Sequence, residues 1–252
     1  MPELGRLRTE QDGDITVIET LPLEDLDVVD PKMLETLWDA LYEFRRERRK
    51  VLVLDLAKGH LAPSSVDRLW SKAEATLAKS PDAGTRYRPV PILARAQKNL
   101  RELLEYFHAL QAPSLVAMRG DIDLDLMGFA LACSHRTCCE DTVFHNRVLD
   151  TPGVPGSALV WYLTRTLGRS RAQALLLESG TITANDALEL GLVDAVTARG
   201  GTSEYVMSLA RRLAEKTQDA LASTCRAFSE AERDFAAYLQ SVGVGFDPAP
   251  RD

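Results

Sequence analysis

The chain has 252 residues, 45% hydrophobic and 27% charged, with 37 acidic against 30 basic side chains and a formal net charge of −7. That length suffices for one or two domains with a sizeable core. An acidic balance without a basic stripe speaks against tracking a nucleic-acid backbone, which needs clustered Lys and Arg, and the most apolar runs, residues 51–56 and 124–133, fall far short of the ~20 residues that span a bilayer.

The N-terminal segment MPELGRLRTEQDGD carries charges where a signal peptide needs an apolar stretch, so the expected location is cytoplasmic. Residues 14–20 (DITVIET) alternate polar and apolar side chains and read as an edge strand. Asp30-Pro31 supplies an N-cap and a first-turn proline for a helix with Leu34, Leu37, Leu41 and Phe44 on one face, ending in the charged run 45–50. VLVLDL (51–56) is the continuous apolar run of a strand covered on both faces. The segment 57–91 is rich in Gly, Pro and Ser around a short helix at 66–78.

Leu93, Ala96, Leu100, Leu103, Leu104, Phe107 and Leu110 make one helical stripe, and residues 113–118 follow as a strand. After Gly120 the pattern predicts a helix over 124–133 and a strand through 136–139. Ser157 is placed to cap a helix running through Trp161 and Tyr162, both at core spacing, to Leu167. Ser170 with Gln173 reads as a capping box for another helix stopping at Gly180, and Thr183-Ala-Asn-Asp186 opens a third, closed by Gly191 ahead of a strand at 192–196. Residues 203–239 read as helical and charged, with a Gly/Pro-rich end. No Walker loop, GxGxxG motif or internal repeat is present, and strands alternating with helices predict a mainly parallel α/β sheet. The division into parts is expected near residue 197, with a core at 1–197 and a C-terminal helical region at 198–252.

Cys133, Cys138, Cys139 and Cys225 are too few and too unevenly spaced for a disulfide framework. Cys133-x-His135-x-x-Cys138-Cys139 resembles a metal-ligand cluster only on paper, because a helix running into a strand sends alternate side chains to opposite faces; no metal is expected.

Three ordered segments resemble the crotonase superfamily, the enoyl-CoA hydratase/isomerase family. They are DPKMLETLWDALYEF with KVLVLDL; APSLVAMRGDIDLDLMGFALACSHRTCCEDTVF with its Gly120, Ala130, Cys133 and Phe144 landmarks; and Pro155-Gly156 followed by LTRTLGRSRAQALLLESGTITANDALELGLVDAV. The resemblance covers residues 14–197. It implies a spiral of ββα turns with helical C-terminal elements, assembled as a homotrimer or hexamer, without a tightly bound cofactor. The substrate it implies is an acyl thioester of coenzyme A or of a carrier protein, its oxygen held by two backbone N–H groups that stabilise an enolate.

Departures from the family pattern fall at the site itself. Leu124-Asp125-Leu126 stands where the family carries a Gly-Gly-Gly run, which makes Asp125 N–H one oxyanion donor; Ser65, or Val66 with one insertion, supplies the other. A gap-free count puts Gly128 and Val148 where hydratases carry their two glutamates, and neither residue can move a proton. Asp150, two positions on, and His145 are the candidate catalytic replacements, with His60 a further candidate. The plainer reading makes Asp150-Thr-Pro152 a turn and leaves Asp121, Asp123 and Asp125 mainly as helix caps. The expected function is acyl-thioester chemistry through an enolate (dehydration, isomerisation or decarboxylation) rather than ordinary enoyl-CoA hydration. The alternative is a non-catalytic crotonase-fold subunit or interaction scaffold working with a partner enzyme.

Overall fold

The computed structural model describes residues 7–20, 31–78, 91–150 and 157–242. Its first elements form a hairpin in which Gly13, at φ +59, allows the tight two-residue turn between β1 (Leu7–Asp12) and β2 (Ile15–Thr20). Strand β2 lies between β1 and β3 (Val51–Asp55), so it is an interior strand; β1, with Arg8, Glu10 and Asp12 along it, takes the edge. The Asp-Gly-Asp turn was the signal for that extra strand.

Helix α1 (Pro31–Arg46) connects β2 to β3 and buries Met33, Leu34, Leu41 and Phe44; the cap expected at residue 30 lies outside the described residues. Then come α2 (Pro63–Ala78), α3 (Pro91–His108) and β4 (Ser114–Met118). The next stretch is β5 (Asp121–Asp123), a 3-10 turn (Leu124–Leu126) and α4 (Met127–Leu131). The long helix expected over 124–133 is therefore two short pieces. It is preceded by a strand whose Asp-Ile-Asp alternation has period two, not 3.6.

Strands β6 (His135–Cys139) and β7 (Val143–Asn146) lead into α5 (Leu159–Leu167) and α6 (Arg169–Leu177). Helix α5 is entered at Ala158 with no side-chain cap, and Ser157 instead donates its hydroxyl to the Asp125 carbonyl. The Ser170–Gln173 capping box does not form either: α6 starts directly after Gly168, which puts Ser170 inside the first turn. Gly180 opens strand β8 (Gly180–Thr183) rather than closing a helix. Thr183 and Asp186 do form the expected reciprocal capping box on α7 (Ala184–Glu189). Strand β9 (Ala195–Thr197) sits a few residues later than predicted, and α8 (Thr202–Ala214), α9 (Gln218–Ala231) and α10 (Phe235–Val242) complete the described chain.

Among the described residues the strands form two sheets. The larger has the order β1-β2-β3-β4-β6-β9 and is parallel from β2 onward; the smaller has the order β5-β7-β8. In two successive units, β4-β5-α4 and β6-β7-α5, the first strand joins the large sheet and the second the small one, which is the ββα spiral.

The apolar run of β3 explains the layers. Val51 and Val53, with Ile15, Leu115 and Ala117, face Val206 and Ala210 of α8. Leu52 and Leu54, with Ile18, Val116 and Met118, face the main core built by α1, α3, α4 and α5. Each fully buried Val or Leu contributes about 1.5–3 kcal/mol, so both faces need a helical cover. Ile122, Phe144 and Ile182 lie opposite one another across the small sheet and point into that core, which fixes its register. The stripe on α3 buries Leu93, Leu103, Leu104 and Phe107 as predicted, and Trp161 and Tyr162 are core residues. No helix among the described residues is long and apolar enough to cross a membrane.

Candidate active site

The ends of β3 and β4 lead into the loop before α2 and into β5, and there the residues singled out in the sequence converge. Leu61 in the loop accepts the Asp123 N–H at 2.7 Å, which ties the loop to β5. The register pairs Asp123 with His145 and Asp121 with Val143.

Ser65 is buried in the first turn of α2, and its N–H donates to the Ala62 carbonyl at 2.9 Å. Its hydroxyl accepts from Arg68 at 3.3 Å. Of the two donors considered for this loop, Val66 remains the one without that commitment. The Asp125 N–H donates to Oδ1 of Asp123 at 3.0 Å, so the second expected oxyanion donor already holds a carboxylate of its own chain.

Asp123 is the residue that sequence reasoning undervalued. Its capping role was anticipated, but not its burial: it is 2% exposed, and among the described residues no other charged residue is as buried. Oδ2 has no hydrogen-bond partner among the described residues and lies 4.0 Å from Arg147 Nη1. Burial pushes the Asp123 carboxyl above its ordinary range, against the opposing pull of the Asp125 N–H and the Arg147 guanidinium. Arg147 in turn grips Asp67 of α2 with both nitrogens, at 2.5 and 3.2 Å, and that pairing makes the guanidinium harder to deprotonate. Strand alternation sets Asp121 and Asp123 on the face opposite the core residue Ile122, and it is the loop holding Leu61 that covers Asp123 there.

His145 Nε2 lies 2.8 Å from Asp121 Oδ1, forming a half-exposed His–Asp pair beside Asp123. Asp150 is exposed. Its N–H closes a turn on the Arg147 carbonyl at 2.9 Å, and its carboxylate adds to the field on Arg147; the turn expected over Asp150-Thr-Pro152 runs outside the described residues. His60 keeps its Nδ1 buried with no hydrogen-bond partner among the described residues, and burial lowers its pKa to about 4.

Space beside Gly128 is taken. A Cβ on this residue would stand 1.8 Å from the Ser157 carbonyl oxygen and 2.3 Å from its hydroxyl, because α4 and the entry to α5 touch backbone to backbone. Leu124 is fully buried and Val148 packs partly buried on the main core.

The cysteines are free. Burial pushes Cys133 and Cys138 up to about 12, so neither is a thiolate near neutral pH. Among the described residues no three His, Cys, Asp or Glu side chains are grouped as metal ligands.

The family model for enoyl-CoA hydratase/isomerase matches residues 89–240, which include β5, α4 and β7. A curated relative, "Probable enoyl-CoA hydratase 2, mitochondrial" of Arabidopsis thaliana, is 29% identical over 132 residues. That match takes in 52% of this chain and 44% of the relative, under half of the relative's length. Among solved structures, an enoyl-CoA hydratase from Bacillus halodurans superposes with a TM-score of 0.78 at 19% identity, covering 96% of this chain and 94% of that one. An enoyl-CoA hydratase/isomerase from Cupriavidus metallidurans gives 0.74 at 18% identity over 96% and 86%. At these identities the superpositions speak for the fold.

Proposed function

Because the chain belongs to the enoyl-CoA hydratase/isomerase family, we propose that it processes an acyl thioester of coenzyme A or of a carrier protein where α2 meets β5 and β7, with Asp123 as the proton-transfer group. The observation that carries this reading is the buried Asp123 carboxyl, with one oxygen held by the Asp125 N–H and the other near Arg147 without a hydrogen-bond partner among the described residues. Burial makes it a stronger base than an exposed carboxylate, which suits abstraction of a proton next to a thioester carbonyl.

In that step Asp123 takes the α-proton, and the electron pair of the C–H bond moves into the carbonyl to leave an enolate oxygen. A protonated Asp123 is a weaker acceptor, so the Asp125 N–H is released to the oxyanion as negative charge develops there. Val66 N–H is the second proposed donor, with Ser65 as its alternative. Arg147, fixed by Asp67, holds Asp123 ionised before the step. His145, backed by Asp121, and Asp150 are the proposed groups for returning a proton, which would serve isomerisation or loss of water from a 3-hydroxyacyl group. Decarboxylation needs the oxyanion donors but not the base. A homotrimer is the proposed assembly, and a monomer by light scattering would refute it.

The test is α-proton exchange of butyryl-CoA in D2O, followed by NMR beside calorimetric titration. Wild-type protein is expected to bind and exchange; Asp123→Asn, which keeps the cap on Asp125, is expected to bind and not exchange. Exchange unaffected by the substitution overturns the role of Asp123.

A second reading, a non-catalytic subunit that assembles with a partner enzyme, is favoured by the internal acceptors on Ser65 and Asp125 N–H and by Ser157 closing the space beside Gly128. Absence of binding to both butyryl-CoA and butyryl carrier protein, with assembly intact, selects it.

A further inference from the structure

A second feature flanks the starts of β3 and β4, about 13–16 Å of strand from their far ends, which lead toward the loop before α2 and toward β5. The end of α1, the end of α3 and the start of α9 enclose a cavity of about 280 Å³ lined by Arg45, Arg48, Arg49, Tyr106, Gln111 and Gln218. Phe44 and Leu110, 2% and 8% exposed, form its apolar bed.

Helix α1 ends in a turn in which Arg48 N–H donates to the Arg45 carbonyl and Arg49 N–H to the Phe44 carbonyl, both at 3.2 Å. This wrap requires a left-handed residue, and Arg48 adopts it at φ +53. Glycine takes that conformation without the Cβ clash that an arginine must absorb. The chain accepts the strain, and the side chain so placed lines the cavity.

The charges there are not balanced from within. Glu47 is taken by Arg49, at 2.7 and 3.0 Å, and reaches Arg46 at 3.7 Å, while Glu43 reaches Arg46 at 3.6 Å. Gln111 accepts from Arg226 at 3.2 Å, which adds a further cation nearby. Among the described residues neither Arg45 nor Arg48 has an ion-pair partner, in a protein whose net charge is −7.

We propose that this cavity binds a phosphate monoester with a ring-sized apolar or planar body. Two uncompensated guanidinium groups, with Arg49 beside them, suit a dianionic phosphate, and the apolar bed suits the body. The volume is at the small end of ligand pockets, enough for a phosphate and one ring.

The test is calorimetric titration of the full chain with phenyl phosphate at low salt. Saturable binding that weakens with added salt is expected, with inorganic phosphate weaker and phenol silent. Arg45→Gln and Arg48→Gly are each expected to lower affinity by about tenfold. Arg48→Gly should melt no lower than wild type, because glycine accepts the left-handed turn, so loss of binding cannot be blamed on misfolding. Saturating butyryl-pantetheine, which has a thioester and no phosphate, should leave the affinity unchanged.

Absence of saturable binding at millimolar ligand, or equal affinity in Arg48→Gly, overturns the proposal. Inorganic phosphate binding as tightly as phenyl phosphate overturns the assignment of an organic body. Displacement by butyryl-pantetheine moves the ligand to the thioester site and overturns the assignment of a separate one.

Discussion

Substitution of Gly128 by alanine separates packing from helix propensity, because the two predict opposite signs. In a helix interior, alanine is more favourable than glycine by about 0.5–1 kcal/mol. At this position the added Cβ would stand 1.8 Å from the Ser157 carbonyl oxygen, 2.3 Å from its hydroxyl and 2.6 Å from its carbonyl carbon. Ordinary contact for such atoms is about 3.2–3.5 Å, so the entry to α5 must withdraw by about 1.4 Å or more. Backbone cannot rotate away as a flexible side chain can. Withdrawal also breaks the bond from the Ser157 hydroxyl to the Asp125 carbonyl.

Overpacking costs about 1–3 kcal/mol and the lost buried hydrogen bond about 1–3 more, which leaves a net loss of about 1–5 kcal/mol after the propensity gain. For a chain of this size that corresponds to a fall in Tm of about 2–20 °C. Thermal and urea denaturation of Gly128→Ala would measure it. An unchanged or raised Tm would refute the backbone contact and with it the account of why this position has no side chain. Gly128→Glu should be worse still: supplying the carboxylate that hydratases carry at the corresponding position is expected to unfold the chain rather than create a hydratase.

Burial holds the His60 pKa at about 4 against the ordinary 6.5, so as pH falls the unfolded chain takes up a proton before the folded one does. Stability is complete above about pH 6.5 and declines toward pH 4, by up to about 2 kcal/mol at pH 5; His60→Leu should flatten that slope in urea titrations across pH. Asn146 is 3% exposed and donates to the Leu175 carbonyl at 2.6 Å and to the Glu178 carbonyl, joining β7 to the end of α6. Asn146→Ala should cost about 2–3 kcal/mol by urea denaturation, and a loss below about 0.5 kcal/mol would show that water satisfies those carbonyls.

Elements with long, regular patterns were legible in the sequence. The stripe of α3, the buried run of β3 and the Thr183–Asp186 box each carry their own period or capping pair. What escaped was decided by contacts between distant segments. Ser157 has the chemistry of an N-cap, but the Asp125 carbonyl, 32 residues away, claims its hydroxyl. Strands β5 and β8 are three and four residues long, too short for periodicity to outvote a neighbouring helix signal.

At the site, Asp125, His145 and Asp150 were found by counting from landmarks, and all three lie on or beside β5 and β7. Arg147 and Asp67 were missed because their partnership spans 80 residues and depends on where α2 begins. The depth of Asp123 was hidden for the same reason, since the loop that covers it comes from before α2.

The cap on Asp125 also sets how strongly the site can hold anything. A carboxylate tethered two residues from the donor it occupies acts as an internal competitor at an effective concentration of millimolar or more, present at every moment and impossible to dilute. Any incoming carbonyl oxygen must displace it, so its observed affinity is the intrinsic one reduced by that competition. The competition relaxes when Asp123 is protonated, and with no part of the fold having to move, the occupancy of this one N–H becomes a function of a single proton.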